Sequence, residues 1–394
     1  MLPYQPHRYL VGVADEGLYL YNSKSGASRS IDQINPQFRK LNQIFKTSRI
    51  YAGERLHDGN YAIATLDKGV FIFDGKSGKL LNHYTEKNGL NDQTVITIYQ
   101  SKKKDIWLGL NNGITRINYE SPFRVLTKQE NLQITPLDIN RYKQTLLVGT
   151  SLGVMQKDTN NQGFPVFKSL PRIKNQTWSL LPFSTSQNDT LLIAGTHKGI
   201  FDISDFQNPQ PLLQHEEYYK VYTLAQSRFA PDYLLAGVYR GLALIQKRPR
   251  GWKNIYEYKK FDATLEYIGE ENDTTIWAAS KLKGIYRIHN AFSGDTSKIH
   301  YTRYDTAQGL PSPDANKIET IDGQLYFLTK DGLYQYNAAK DRFEPSMKFN
   351  GKYRGKELVA IKKAGNRSFW IIYAETEEGH RIERLTQKNG TYKV

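Results

Sequence analysis

One short unit recurs along the whole sequence: an apolar strand, a polar turn closed by glycine, and a second strand of alternating apolar residues. Its clearest copy is Asp105-Ile106-Trp107-Leu108-Gly109-Leu110-Asn111-Asn112-Gly113-Ile114-Thr115-Arg116-Ile117-Asn118. This is the pattern of a tight antiparallel hairpin, whose turn needs a residue at positive φ that glycine adopts at little cost. Nine copies align on Gly17, Gly69, Gly113, Gly153, Gly199, Gly241, Gly284, Gly332 and Gly379, spaced 40 to 52 residues apart. A repeat of this length, built from strands and lacking the i, i+3, i+4, i+7 pattern of helix pairs, predicts an all-β chain folded as a β-propeller of four-stranded blades. The strands entering the turn begin bulky and end small, as in Leu146-Leu147-Val148-Gly149-Thr150 and Ile276-Trp277-Ala278-Ala279-Ser280. Small residues in middle strands let neighbouring blades pack closely.

A repeat array buries one continuous core, so residues 1–394 are expected to form one propeller array. Nine copies suit a seven-bladed ring with extra blades, or a larger ring. The sequence holds 27 Tyr and 17 Phe, which favour strands. No run of eighteen apolar residues occurs, so no membrane-spanning helix is expected. The absence of cysteine excludes disulfides, thiolate chemistry and thiolate-held metals. No secretory signal precedes Tyr9-Leu10-Val11-Gly12-Val13, which reads as a second strand lacking the first strand of its blade. The last strand seen at the other end is Ile382-Glu383-Arg384-Leu385. The chain is therefore expected to be a fragment of a longer protein with unfinished edges.

Between copies, Phe38 to Phe45 suits either a short helix or an outer strand. His83-Tyr84-Thr85-Glu86-Lys87-Asn88-Gly89-Leu90 running into Val95-Ile96-Thr97-Ile98 reads as an outer strand, a glycine turn and the next inner strand. Tyr304-Asp305-Thr306-Ala307-Gln308-Gly309-Leu310-Pro311-Ser312-Pro313-Asp314-Ala315-Asn316-Lys317-Ile318 repeats it. These residues, with Ile106-Trp107-Leu108-Gly109, Asn112-Gly113-Ile114 and Ser121-Pro122-Phe123, resemble the two-component-regulator propeller repeats of bacterial ligand-binding sensors. So does Phe327-Leu328-Thr329-Lys330-Asp331-Gly332-Leu333-Tyr334 leading to Arg342-Phe343-Glu344-Pro345. The likeness extends over essentially the whole chain.

The resemblance implies a periplasmic sensor propeller that relays ligand occupancy to a kinase, cyclase or DNA-binding output outside this chain. It implies as partners a small-molecule or glycan ligand, the downstream signalling domains and a homodimeric second copy. A propeller-fold carbohydrate-active hydrolase or lyase is the alternative, and a protein-interaction scaffold the weaker one. The residues themselves offer no enzyme motif: no phosphate loop, no H-E-x-x-H and no G-x-S-x-G. His57-Asp58 and His215-Glu216-Glu217 are adjacent pairs whose side chains diverge on a strand, so they read as polar loops, and neither a metal nor a cofactor is expected. Trp107 and Trp277 are expected in the core. Trp178, Tyr218, Tyr219 and Trp252 are candidates to stack on a sugar.

The net charge of +15 raises anionic partners, but the basic residues are dispersed and Lys102-Lys103-Lys104 suits a solvated loop, so no nucleic-acid partner is expected. In five hairpins a basic residue stands just before the turn glycine: Lys68, Lys198, Arg240, Lys283 and Lys330. Propeller turns share a face, so these five are expected to form a broken cationic ring that collects an anionic ligand beside Trp178. The alternative is that exposed tips favour any polar residue, as Glu16, Asn112 and Glu378 suggest. The ring predicts that binding of an acidic ligand weakens with salt and on replacing Lys198, Arg240 and Lys283 by glutamine. Unchanged affinity and salt dependence in a titration would remove the ring.

Overall fold

Every one of the nine glycine turns joins the second and third strands of an antiparallel sheet. The computed structural model describes every residue except 122–125, 127–129, 160–164, 187–188, 216–218, 377–378, 389–390 and 394. Strand accounts for 54% and helix for 7%, an all-β chain with helix below a tenth. Eight sheets have four strands in simple meander order, and the third shows three among the described residues. The sheets succeed one another as propeller blades. Two compact units are distinguished, residues 1–133 with 157–168, and residues 134–156 with 169–394. The first three sheets lie in the first unit, and the fifth to ninth in the second. Among the described residues no helix is long and apolar enough to cross a membrane.

Two expectations about the ends are corrected. Leu2–Gln5 pairs with Arg8–Val13 as a first strand. Pro3 and Pro6 disguise it in the sequence, yet proline is tolerated on a sheet edge where no ladder N–H is needed. At the other end Thr391–Lys393 pairs with Gly379–Lys388 as a fourth strand. The ambiguous Phe38–Phe45 stretch is helical over Arg39–Phe45. Both connection copies insert a 3-10 turn, Glu86–Asn88 and Thr306–Gln308, between outer strand and glycine. In the second copy the Asp305 carboxylate and Gln308 form a capping box, and Gly309 follows with φ 90°. Leu90 and Leu310 then anchor the connection, both buried. Pro122-Phe123 and Glu378 lie outside the described residues.

Middle strands such as those of the sixth sheet are apolar on both faces because a neighbouring sheet packs against each face. Leu234, Ala236, Val238, Ala243 and Ile245 of the sixth sheet pack with Phe183, Ile193 and Ile200 of the fifth. Alternate residues Leu235, Leu242 and Leu244 pack with Ile276, Ala278 and Tyr286 of the seventh. A two-residue period thus shares one strand between two cores. The small residues act as expected. A Cβ on Gly195 would stand 2.8 Å from Val221 Cγ1, and one on Gly237 2.4 Å from the Leu265 carbonyl oxygen.

Neighbouring sheets are also joined by side chains that bond to backbone one repeat away. Asp138 Oδ2 accepts from Leu180 N at 2.6 Å while Asn140 Nδ2 donates to Leu180 O at 2.9 Å. Gln226 accepts from Ser184 N at 2.9 Å, Glu270 accepts from Arg228 N at 2.6 Å, and Lys317 Nζ donates to Val359 O at 2.6 Å.

At the tips, a buried hydroxyl one residue before the turn holds the glycine carbonyl. Thr150 Oγ1 donates to Gly153 O at 2.8 Å, Thr196 to Gly199 at 3.0 Å and Thr329 to Gly332 at 2.9 Å. Each hydroxyl also accepts from a turn N–H, Lys198 N in the case of Thr196 at 3.1 Å. Replacing Thr196 by valine keeps the shape but strands a buried donor and acceptor. It should cost about 1–3 kcal/mol, and Thr196→Ser should recover most of it. Urea denaturation compares the three, and a valine variant as stable as the parent would show that the hydroxyl is idle.

Candidate functional site

The N-terminal ends of the first strands carry a repeated irregularity. The pairing of first with second strand slips at Tyr51, Leu137, Trp178, Tyr222 and Val359, and Ile96 stands in a similar slip. A bulge leaves one residue unpaired and re-aims its side chain. All six are apolar or aromatic, and each is partly or largely exposed.

Trp178 is therefore presented rather than buried. In the second unit its ring lies 5.0 Å from Tyr222 and 6.1 Å from His197, nearly parallel to the latter. The Lys220 ammonium stands 5.9 Å from the Trp178 ring centroid. Burial, then the charges of Lys220 and Lys198, hold the His197 imidazole below its ordinary pKa. The structure thus groups Trp178 and His197 with two lysines.

The other basic tips have local partners. In the first unit Lys68 Nζ donates to the Thr47 carbonyl and, at 3.0 Å, to Thr47 Oγ1. In the second, Arg240 Nε donates to Phe261 O at 3.3 Å, and Lys283 Nζ donates to Asp262 O at 2.9 Å with Asp262 Oδ2 at 3.2 Å. Two tips therefore grip adjacent residues of one connection. Lys330 Nζ pairs with Asp314 Oδ2 at 2.6 Å. At Gly241 the positive φ belongs instead to Arg240, at 56°.

The remaining aromatic candidates divide. Tyr219 is buried and stacks on His215 at 4.1 Å, while Trp252 meets Phe183 edge-on at 5.0 Å. Tyr218 lies outside the described residues, as do Glu216 and Glu217. The His215 imidazole has its carboxylate from Glu257, 3.0 Å away. Trp277 is in the core, but Trp107 is 40% exposed. On that strand Ile106, Leu108 and Leu110 take the buried face, which leaves Trp107 on the other, under Arg116. Lys102 and Lys103 are solvated, as expected. Among the described residues no group of three or more His, Asp or Glu could hold a metal ion.

A cavity of about 240 Å³ opens at the same strand ends in the second unit. It is lined by Glu266, Tyr267 and Lys281 of the seventh sheet, Ala315, Asn316 and Lys317 entering the eighth, and Glu357 entering the ninth. Tyr267–Glu270, Lys317–Ile321 and Leu358–Lys363 are the three first strands, so each opens at the cavity. Ala315 has φ 60°, a left-handed conformation uncommon outside glycine, and its N–H bonds the Lys281 carbonyl at 2.8 Å. Asn316 is fully buried. Its Nδ2 donates to Ser312 O at 2.9 Å, whereas its Oδ1 has no hydrogen-bond partner. Burial raises the Glu266 carboxyl above its ordinary range, opposed by Lys281. Burial likewise lowers Lys317, opposed chiefly by Glu357. Burial, with the charges of Glu266 and Glu319, pushes the Tyr267 phenol up to about 12, so it is a neutral donor at physiological pH.

Neither hairpin tips nor local motifs mark these lining residues: Ala315-Asn316-Lys317 end a connection, and Glu266 and Glu357 precede strands of different repeats. The position gives no signal by itself, because the residue before the first strand is polar in other repeats too, as in Arg49, Gln176 and Lys220.

No protein-family model and no curated protein sequence matches this chain. Among solved structures it is similar to the extracellular domain of a protein described as the hybrid two-component system BT3049 from B. thetaiotaomicron. The match is 17% identical with a TM-score of 0.58, over 94% of this chain and 53% of that one. The extracellular domain described as that of the hybrid two-component system BT4673 from the same organism matches at 13% identity and a TM-score of 0.50, over 100% and 53%. The chain thus spans about half the length of the structures it matches. At such identities the likeness establishes the fold.

The two shifted charges predict opposite pH dependences. Glu266 is raised above its ordinary 4.5, so the folded state holds the proton longer, and its contribution to stability is lost as pH rises through the window just above 4.5. Lys317 is lowered below its ordinary 10.5, so the unfolded chain holds more protons just below 10.5 and stability rises with pH there. Glu266→Gln should abolish the first slope and Lys317→Met the second. Stability measured by denaturant titration across pH checks both, and parallel curves for parent and variants would refute the assignment.

Proposed function

We propose that this chain is the ligand-binding propeller of an extracytoplasmic bacterial signal receptor, passing occupancy to an output carried elsewhere in that receptor. The observation that carries the reading is a cavity walled by four charged side chains at three strand entries, with the unpartnered Oδ1 of the fully buried Asn316 behind it. A native fold leaves few such atoms, because an unsatisfied buried acceptor costs free energy that a ligand can recover. The fold likeness to extracellular domains of two-component systems supports the placement outside the cytoplasm. The Trp178 ring with Tyr222, His197 and Lys220 adds a second surface suited to a flat or ring-shaped ligand.

One observation favours the enzyme alternative: Glu266, held protonated above its ordinary range, shares the cavity with Glu357. Such a pair can serve as general acid and base. The two lysines in the same wall argue for binding, since they offer counter-charges to an anionic group of a ligand.

A thermal-shift screen with neutral sugars, uronates, organic acids and amino acids tests the reading. A ligand present at 100 times its dissociation constant should stabilise the fold by about 2.7 kcal/mol. That shift should survive prolonged incubation, and Asn316→Ala or Lys317→Met should reduce it. Consumption of the ligand would establish the enzyme instead, and the absence of any shift across the four classes would overturn the sensor reading.

A further inference from the structure

The charges around the cavity are balanced, and they are not spent on one another. Two carboxylates, Glu266 and Glu357, face it with two ammonium groups, Lys281 and Lys317. None of Glu266, Glu357 and Lys281 forms an ion pair within 4.0 Å among the described residues, and the bond Lys317 makes is to the Val359 carbonyl. Lys281 opposes the shift of Glu266 and Glu357 that of Lys317, yet the four charges remain unpaired around an open space.

Two uncharged polar residues, Tyr267 and Asn316, complete the wall, and the amide has a defined sense. Asn316 Nδ2 donates to the Ser312 carbonyl, which fixes the amide so that Oδ1 accepts. That oxygen lies fully buried behind the wall and has no donor. A simple anion satisfies the lysines but meets Glu266 and Glu357 in a partly desolvated space, where like charges repel strongly. A simple cation meets the reverse difficulty, and a neutral polyol leaves all four charges without a counterpart. An occupant with one positive and one negative end answers all four charged groups: its ammonium donates to the carboxylates, and its carboxylate accepts from lysine and from the Tyr267 phenol.

We propose that the cavity between the entries of the seventh, eighth and ninth sheets binds a small dipolar ion carrying a free ammonium and a free carboxylate, of the size of a single amino acid. This rests on the ligand-binding reading above and narrows it. The volume of about 240 Å³ lies below the ~300–1,000 Å³ of pockets for drug-sized ligands, which sets the size. The strained Ala315 backbone shapes the floor between Lys281 and Asn316, since its N–H is tied to the Lys281 carbonyl.

Calorimetric and thermal-shift titrations of the full chain with the free proteinogenic amino acids at about 10 mM test this. For each binder, the N-acetyl and carboxamide derivatives are run beside it. At least one free amino acid should raise the melting temperature. Removing either its ammonium or its carboxylate should weaken binding by on the order of tenfold or more. Glu357→Gln and Lys317→Met should each do the same, with the melting curve of each unliganded variant reporting that it folds. Should Lys317→Met fail to fold, Glu357→Gln and the blocked ligands still decide the matter. Binding of a blocked derivative as tight as that of its parent, an unaltered affinity in Glu357→Gln, or no shift from any free amino acid would overturn the proposal. Succinate, galacturonate and glucose form the control arm. A shift from one of these alone would defeat the dipolar ligand and leave the ligand-binding reading standing, whereas no shift from any probe would remove both.

Discussion

The close approach of six hairpin tips, at Gly69, Gly153, Gly199, Gly241, Gly284 and Gly332, to the chain leaving their own blades is the constraint on which the rest of the architecture depends. A Cβ on Gly69 would lie 2.0 Å from the Tyr84 carbonyl oxygen, and one on Gly199 2.0 Å from that of Leu213. Such distances admit no side chain. The glycine is required twice over, by its left-handed φ of 137° in the case of Gly199 and by the carbonyl pressed against its α-carbon. Thr196 then fixes the glycine carbonyl from the other side. With the tip held, the departing strand has one path, and the connection to the next blade starts from a set position.

That geometry explains which parts of the fold could be read in advance. The turn glycines recur because backbone contact tolerates no alternative, so the repeat survives where the connecting segments vary. Middle strands such as Tyr233–Val238 read as unbroken apolar runs because both faces are covered, a property of single residues that needs no partner to be recognised. The edges could not be read so. Leu2–Gln5 and Thr391–Lys393 are short, and one holds a proline, because an edge strand is specified by the ladder it joins and hardly by its own composition. Trp107 was misplaced for a related reason: its strand alternates, and only the packing of Ile106 and Leu108 decides which face is inside.

The candidate site was far less legible. Basic residues at hairpin tips form a visible pattern, but Arg240 and Lys283 spend their donors on the Phe261-Asp262 connection, and Lys330 on Asp314. Position along a repeat conveys where a side chain begins and says nothing of what its end touches. Glu266, Lys317 and Glu357 lie 91 residues apart at the extremes and share no motif; only the stacking of successive blades assembles them. Trp178 was recognised as exposed-capable without its cause, the bulge that turns it out of the ladder.

The cross-blade hydrogen bonds have a mechanical consequence. Joints between successive sheets act as springs in series: their compliances add, and the softest absorbs most of an imposed strain. Between the fourth and fifth sheets the joint is two short side chains, Asp138 and Asn140, both bonded to Leu180. Between the eighth and ninth its polar part is made of lysine arms: Lys317 reaches Val359 O, Lys362 pairs with Glu319 at 2.9 Å and Lys363 with Asp322 at 3.6 Å. A lysine arm lengthens by rotating its bonds, at a fraction of the energy needed to stretch a carboxylate held against backbone. Of these two joints, the one between the eighth and ninth sheets, beside the cavity, is therefore the more compliant, and the one between the fourth and fifth the stiffer.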